Sequence, residues 1–389
     1  MKDKIALISK DVLLKSYLPV YGNTYYKTPN IDELAQKGTV FLKHYTAAPS
    51  TAMSFTAMFT GLYAFETDRQ KYVEVSEFGG DTLFDKLFDR GYACHIVWDK
   101  SYMRLAHKYS KCYGAHSKIH NTDFLTRKQP PHINGRHDDM SFDPTAEKDC
   151  LAKFEELTKQ ICDSSPKVFY WAHLPHALMG RNAYGSDIDM LDRMVGIIRK
   201  YFDDDAIYIT ADHGHMNGRH GKYGYGFDVN QNAIEIPLIT ARIENRATVD
   251  FPTSNVQLME IILDQSLQKR DVLYSETAYY MQPHRKIAVI RGKYKYIYEK
   301  KTGREFLYDV EWDPEENVNL LATEIYDVDR RRKYSATQRF FYPYWTDVLK
   351  EYECLKAQKD SIWKDPPFLV DIKERFIQWL KILYTRLQR

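Results

Sequence analysis

The sequence predicts an α/β fold: a mostly parallel central sheet covered by helices on both faces, then a small C-terminal antiparallel sheet and a helical tail. Three observations carry that prediction. Short apolar, β-branched runs alternate with amphipathic helical stretches along much of the chain, the pattern of buried parallel strands joined by crossover helices. The run Ala206-Ile207-Tyr208-Ile209-Thr210 leads directly into Ala211-Asp212-His213-Gly214, so a doubly buried strand delivers a carboxylate and an imidazole to the carboxyl edge of the sheet. From about residue 270 the texture changes to short runs joined by glycine-containing turns, which reads as an antiparallel meander.

The elements follow in order. Ile5-Ala6-Leu7-Ile8 is the first buried strand, ending at Ser9-Lys10-Asp11. Thr28-Pro29-Asn30 is a turn into a helix, with Asn30 as its N-cap and Gly38 as its stop. Thr39-Val40-Phe41 is extended, residues 50–62 are helical from Ser50 or Thr51 to Gly61, Thr82 to Gly91 is a second amphipathic helix, and Tyr92 to Trp98 is a strand. Residues 113–145 are rich in His, Pro and Asn and predict a long loop, with Pro130-Pro131 and Gly135 as breakers. Ala146 to Ile161 is helical, Lys167 to Ala172 a strand and Asp187 to Phe202 a helix. Ile287 to Arg291, Tyr294 to Tyr298 and Phe306 to Asp309 form the meander, and the charged tail is helical, broken at Pro343 and Pro366-Pro367. The chain therefore divides into a catalytic α/β domain over 1–270, an antiparallel subdomain over 271–325 packed on it, and a helical extension over 326–389.

Composition excludes several classes. A chain of 389 residues with 28% charged and 44% apolar side chains is ordinary for a soluble enzyme. A net charge of +2 without a strongly basic half gives no case for nucleic acid as a partner. No apolar run reaches the ~18 residues of a membrane span. Met1 is followed by no signal-peptide core, and the five cysteines are odd in number without CxxC spacing, so a cytoplasmic location is expected. Thirty tyrosines suit glycan or aromatic contacts and a Tyr-rich core equally. The tail stripe Leu369, Ile372, Phe376, Trp379 and Leu383 reads first as packing on the domain or across a homodimer. Peripheral contact with a membrane is the lesser reading.

Three separated segments carry the chemistry. Asp11 ends the first strand, Thr51 opens a helix in Ala48-Pro49-Ser50-Thr51-Ala52-Met53-Ser54, and Asp212-His213 ends a later strand. Two carboxylates, a hydroxyl and an imidazole make a donor set that suits Zn²⁺ or Mn²⁺ better than an all-oxygen Ca²⁺ cage. A threonine hydroxyl is a poor nucleophile at neutral pH. Coordination to a divalent cation favours its alkoxide, and a helix N-terminus adds backbone donors for an anionic substrate.

At these residues the chain resembles the alkaline phosphatase/sulfatase superfamily, over roughly residues 4–325. The resemblance is carried by Thr28-Pro29-Asn30-Ile31-Asp32-Glu33-Leu34-Ala35, Thr60-Gly61-Leu62-Tyr63, Asp212-His213-Gly214 with Gly218-Arg219-His220-Gly221, and Ala233 to Ile239. Near the end Gly292-Lys293-Tyr294-Lys295-Tyr296 and Leu307-Tyr308-Asp309-Val310 match the family's closing sheet. Alignment on Thr60-Gly61 places Thr51 at the family's nucleophile, where sulfatases carry a Cys or Ser that becomes formylglycine. Met53 and Phe55 replace the family's proline and arginine there. Formylglycine cannot form from threonine. The segment instead resembles that of the threonine-dependent phosphoethanolamine transferases.

The resemblance implies that Asp11, Thr51, Asp212 and His213 bind one divalent metal, Zn or Mn favoured, with Ca and a second metal left open. It also implies that His173 or His176, together with His220 and assisted by Lys222, binds the substrate. The expected activity is transfer or hydrolysis of a substituted phosphoryl group, such as phosphoethanolamine or phosphoglycerol, from a phosphodiester donor to or from a glycan or glycan precursor. A sulfatase-like hydrolase of sulfate or phosphate esters is the first rival, and a catalytically inactive glycan-binding module the second.

Overall fold

The computed structural model describes residues 1–67, 81–102, 116–125, 144–176, 184–277, 285–321, 325–327, 332–334 and 345–363. The chain opens with β1 (Lys4–Lys10), α1 (Pro29–Lys37), β2 (Thr39–Phe41), β3 (His44–Tyr45) and α2 (Thr51–Thr60). It continues through α3 (Leu83–Asp89), β4 (Ala93–Asp99), β5 (Ser117–Thr122), α4 (Pro144–Cys162), β6 (Val168–Leu174), α5 (Tyr184–Ile198) and β7 (Ile207–Ala211). Next come β8 (Leu238–Thr240), β9 (Thr248–Val249), β10 (Thr253–Ser254) and α6 (Leu258–Asp264). The second sheet holds β11 (Leu273–Glu276), β12 (Lys286–Arg291), β13 (Tyr294–Glu299) and β14 (Arg304–Asp309); β15 (Ile325–Asp327), β16 (Arg332–Tyr334) and α7 (Trp345–Ile362) follow.

The main sheet runs β5-β4-β6-β1-β7-β8-β2-β9. β5, β4, β6, β1 and β7 are mutually parallel, and β8 joins antiparallel to β7 and β2. Alternation along the strands explains why both faces are covered. On β1, Ala6 and Ile8 pack towards α1, α4 and α5, whereas Ile5 and Leu7 pack towards α2, α3 and α6. The Ile5, Leu7 and Ile8 side chains, fully buried, each contribute roughly 1.5–3 kcal/mol by the area they remove from water. All parallel strands therefore end at one edge, and Asp11, His173 and Asp212 stand at the ends of three adjacent ones.

Helix α2 is buried almost all round, from Met53 to Thr60. Its N-terminus is held against the end of β7 by Ser54, whose hydroxyl donates to the Asp212 carbonyl at 2.6 Å. Gly61, at φ +71°, terminates the helix in the left-handed region that glycine favours. The second sheet, ordered β11-β12-β13-β14, is antiparallel throughout. One face packs Ala288, Ile290 and Ile297 on Tyr45, Met216 and Ile234; the other packs Val289, Tyr296 and Leu307 on Val348 and Leu355 of α7. Among the described residues no helix is long and apolar enough to cross a membrane.

Several expectations need correction. Asn30 does not cap α1; the helix begins at Pro29, and the Asn30 amide instead donates to Asp192 at 2.9 Å. The stretch predicted as loop from 113 contains β5, an edge strand whose polar residues Ser117, His120 and Asn121 carry no hydrophobic alternation. The tail stripe from Leu369 lies outside the described residues.

Candidate metal centre

Three strand ends and one helix start build the centre. Asp11 follows β1, Asp212 and His213 follow β7, and Thr51 is the first residue of α2. One ligand atom each of Asp11, Asp212 and His213 lies within 4.8 Å of the others, and all three residues are buried. His213 Nε2 is 3.4 Å from Asp212 Oδ2 and 3.7 Å from Asp11 Oδ1. The Thr51 hydroxyl lies 3.2 Å from the same nitrogen.

The surroundings orient each group. His213 Nδ1 pairs with the Gly214 carbonyl at 2.8 Å, which requires the proton on Nδ1 and turns the Nε2 lone pair inward. The Thr51 O–H then donates to Nε2. Asp212 Oδ1 accepts from the backbone N–H of His213 at 2.8 Å and of Val12 at 3.2 Å. Val12 adopts φ +59°, a costly conformation for a β-branched residue, and this strain aims its N–H at Asp212. Asp11 Oδ2 accepts from the Tyr102 hydroxyl at 2.6 Å. The remaining oxygens, Asp11 Oδ1 and Asp212 Oδ2, are buried without a hydrogen-bond partner.

Two buried, partly unpartnered carboxylates facing an imidazole lone pair are strongly unfavourable unless a cation binds between them. The donor set fits a divalent ion with mixed oxygen and nitrogen preference. Burial pushes the Asp212 carboxyl up to about 6, and the charge of Asp11 adds to the rise. Burial acts in the same direction on Asp11, but the His213 and His173 rings, the Tyr102 hydrogen bond and Lys10 outweigh it and hold that carboxyl below its ordinary value.

The other candidates lie in two places. His173 is the penultimate residue of β6, fully buried; its Nδ1 is 2.9 Å from the Ser9 hydroxyl, which also accepts from Trp171 Nε1 at 2.8 Å. Its ring meets Tyr102 edge-on at 4.9 Å, and its Nε2 has no hydrogen-bond partner. Burial pushes its imidazole down to about 3, so it is neutral near pH 7. His176 is half-buried at the same edge, 6.4 Å from the His215 ring. His220 and Lys222 lie on the loop that runs from Met216 to Phe227. His220 is exposed, its charged neighbours being Glu316, Lys222, Asp228 and Arg219, and Lys222 is paired with Asp228. Neither shows a contact with the carboxylate pair. Lys100 is exposed.

Sequence reasoning passed over Tyr102, Val12, Ser54 and Lys10. Lys10 is buried; its ammonium bonds Asp187 at 2.9 Å and the Pro175 carbonyl at 2.8 Å, tying the end of β1 to the loop that carries His176. Tyr102 was legible only as a residue just beyond a strand end, and one tyrosine among thirty carries no signal.

Comparisons with known proteins agree with this architecture. A structure described as a 2-O GAG sulfatase superposes with a TM-score of 0.64, at 16% identity over 95% of this chain and 96% of that one. The phosphonate monoester hydrolase of Agrobacterium radiobacter superposes at 0.61, with 16% identity over 91% and 95%. These likenesses show the fold. In sequence, an arylsulfatase of Clostridium perfringens is 21% identical across 86% of this chain and 93% of its own length. Human Arylsulfatase D is 41% identical over 66 residues, 17% of this chain and only 11% of that protein. The Sulfatase family model matches residues 5–266, and the chain therefore belongs to the Sulfatase family, hydrolases of sulfate or phosphate esters.

Proposed function

We propose that this protein is a metal-dependent phosphoester enzyme with Thr51 as nucleophile. In this reading it transfers or hydrolyses a substituted phosphoryl group, such as phosphoethanolamine or phosphoglycerol, carried by a glycan or glycan precursor. The observation that carries the reading is the Thr51 hydroxyl, set at the first turn of α2 and 3.2 Å from His213 Nε2, beside the unpartnered oxygens of Asp11 and Asp212. Threonine at this position has no route to formylglycine, which separates this chain from sulfatases that use an aldehyde hydrate. The phosphonate monoester hydrolase among its structural relatives supports attack at phosphorus.

Asp11, Asp212, His213 and Thr51 would hold the ion, with Zn²⁺ or Mn²⁺ preferred for an oxygen and nitrogen donor set. Such an ion supplies Lewis acidity, which eases ionisation of a bound hydroxyl and offsets the negative charge of an incoming ester. The chain's own residues do the rest. Ser54 and Val12 fix Thr51 and Asp212 relative to each other. The N-terminus of α2 turns its first backbone N–H groups towards an anionic substrate, where they would meet the phosphoryl oxygens. Thr51 Oγ loses its proton and forms a bond to phosphorus as the bond to the leaving alcohol breaks; that alcohol takes up a proton. Water, or an acceptor alcohol, then displaces Thr51 from phosphorus and returns the hydroxyl.

Intact-mass analysis after incubation with phosphodiester donors tests this. The expected result is a covalent adduct that maps to Thr51 and is absent from Thr51→Ala. An adduct on another residue, or turnover of a sulfate ester that survives Thr51→Ala, overturns it.

A further inference from the structure

Resting on the reading of the site as one for esters carried by glycans, we propose that Tyr223, Tyr225 and Phe227 form an aromatic platform. A sugar ring of the substrate stacks on it beside the reacting ester. The three rings alternate along one loop and are 75%, 46% and 37% exposed, among the largest exposed apolar side chains of the described residues. Exposing three rings within five residues has a cost that an ordinary surface avoids.

The loop backbone is fixed. The Met216 N–H donates to the Gly224 carbonyl at 2.9 Å, the Gly218 N–H to the Lys222 carbonyl at 2.8 Å, and the Gly224 N–H to His215 Nε2 at 3.1 Å. Glycine makes room for two of the rings. A Cβ at Gly218 would lie 3.2 Å from the Tyr223 hydroxyl, and one at Gly224 would lie 3.2 Å from Phe227 Cε1. The loop that carries the rings is thus set in place before any ligand arrives.

Position links the platform to the centre. The Tyr225 ring lies 4.5 Å from the His213 ring. Through Asn217 the loop also reaches a second aromatic group: Asn217 donates to the Tyr17 hydroxyl at 2.5 Å, Tyr17 meets Tyr26 edge-on at 5.7 Å, and Tyr25 meets Tyr26 at 5.0 Å while 83% exposed. The chemistry favours a sugar over an apolar protein partner. Glycines separate the rings along the chain, and the ion-paired Lys222 and Asp228 flank them in sequence, with Arg219, paired to Glu315, earlier in the same loop. A pyranose offers an apolar C–H face to aromatic rings and hydroxyls to such charged groups.

Two arms test this on the full-length protein. In the first, kcat and KM are measured for the phosphoethanolamine diesters of methyl glucoside (at O6) and of ethanol. Tyr223→Ala is expected to raise KM for the glucoside diester about tenfold, the scale of one aromatic contact, with kcat and the ethanol diester unchanged. Tyr223→Phe should retain the original KM. Equal effects on both diesters, or on neither, overturn the platform. The second arm needs no turnover. Methyl glucoside 6-phosphate is titrated calorimetrically into Thr51→Ala and into Thr51→Ala/Tyr223→Ala. A Kd about tenfold weaker in the double variant supports the platform; equal Kd values or no saturable binding sink it. Absence of turnover with both diesters counts against the Thr51 chemistry instead.

Discussion

Around the C-terminal sheet, the buried carboxylates of Glu276, Asp228 and Glu316 face cations of the same chain. Glu276 takes Arg285 at 2.8 Å, Asp228 takes Lys286 at 2.8 Å together with Lys222, and Glu316 pairs with the buried Lys295. At the carboxyl edge of the parallel sheet, Asp11 and Asp212 are brought together with one unpartnered oxygen each. The ammonium of Lys10, next in sequence, is committed to Asp187. Residue types and burial are alike in the two regions. What differs is whether the neutralising charge belongs to the polypeptide. In the first region buried charge holds elements together. In the second it is arranged to receive an external cation, at the point where β1, β6 and β7 all end.

The largest expected effect separates chemistry from folding. Thr51→Ala should lower kcat of the metal-loaded enzyme by at least about 10³-fold, with the thermal midpoint unchanged; steady-state kinetics and a melting scan check both.

Paired neutralisations sharpen the comparison directly. Glu316→Gln leaves the Lys295 ammonium buried without its counter-ion and should destabilise the protein by about 3 kcal/mol or more in urea unfolding. Asp212→Asn relieves repulsion with Asp11 and should leave the metal-free protein equally or more stable. Its affinity for Zn²⁺ or Mn²⁺ should nonetheless fall by about 100-fold in calorimetric titration, since a charged ligand is lost. Equal destabilisation by both substitutions would erase the distinction between the regions.

The pH dependence follows from Asp212. Its carboxyl is pushed up to about 6 in the fold, chiefly by burial, against an ordinary value of 3.8. Between these values the folded protein without metal binds more protons than the unfolded chain, so this group makes stability fall as pH rises from about 4 to 6. A bound cation removes that loss and competes with the proton. The rise in melting temperature on adding metal should therefore be larger at pH 7 than at pH 5; the reverse order would contradict the assignment of Asp212 as a ligand.

The smallest effect concerns orientation. Tyr102→Phe removes the hydroxyl donor to Asp11 and should weaken metal affinity about tenfold, the scale for losing a partner of a metal ligand. Titration of the variant beside Asp212→Asn ranks the two.

Periodicity made β1, β4, β6 and β7 legible, because strands buried on both faces must be apolar along their whole length. It did not reveal β5, a polar edge strand, or the two-residue pairing of β3 with β10, which joins His44 to Thr253 across the chain. Candidate ligands were legible for the same reason: Asp11 and Asp212 are the first carboxylates after the apolar runs of β1 and β7. The family resemblance implied His220 and Lys222 as substrate ligands. In the fold their loop turns through left-handed backbone at Gly218 and His220 and directs Lys222 to Asp228.

The amino-acid order thus dictated the α/β layering and which polar residues stand at strand ends, since both depend on local pattern and the cost of burying charge. Which of those residues share one centre was settled by packing: the strand order that sets β1 between β6 and β7, the strained Val12, and the reach of Tyr102 to Asp11. These are contacts between distant segments, created by the burial of side chains on both faces of the sheet, and no local pattern encodes them.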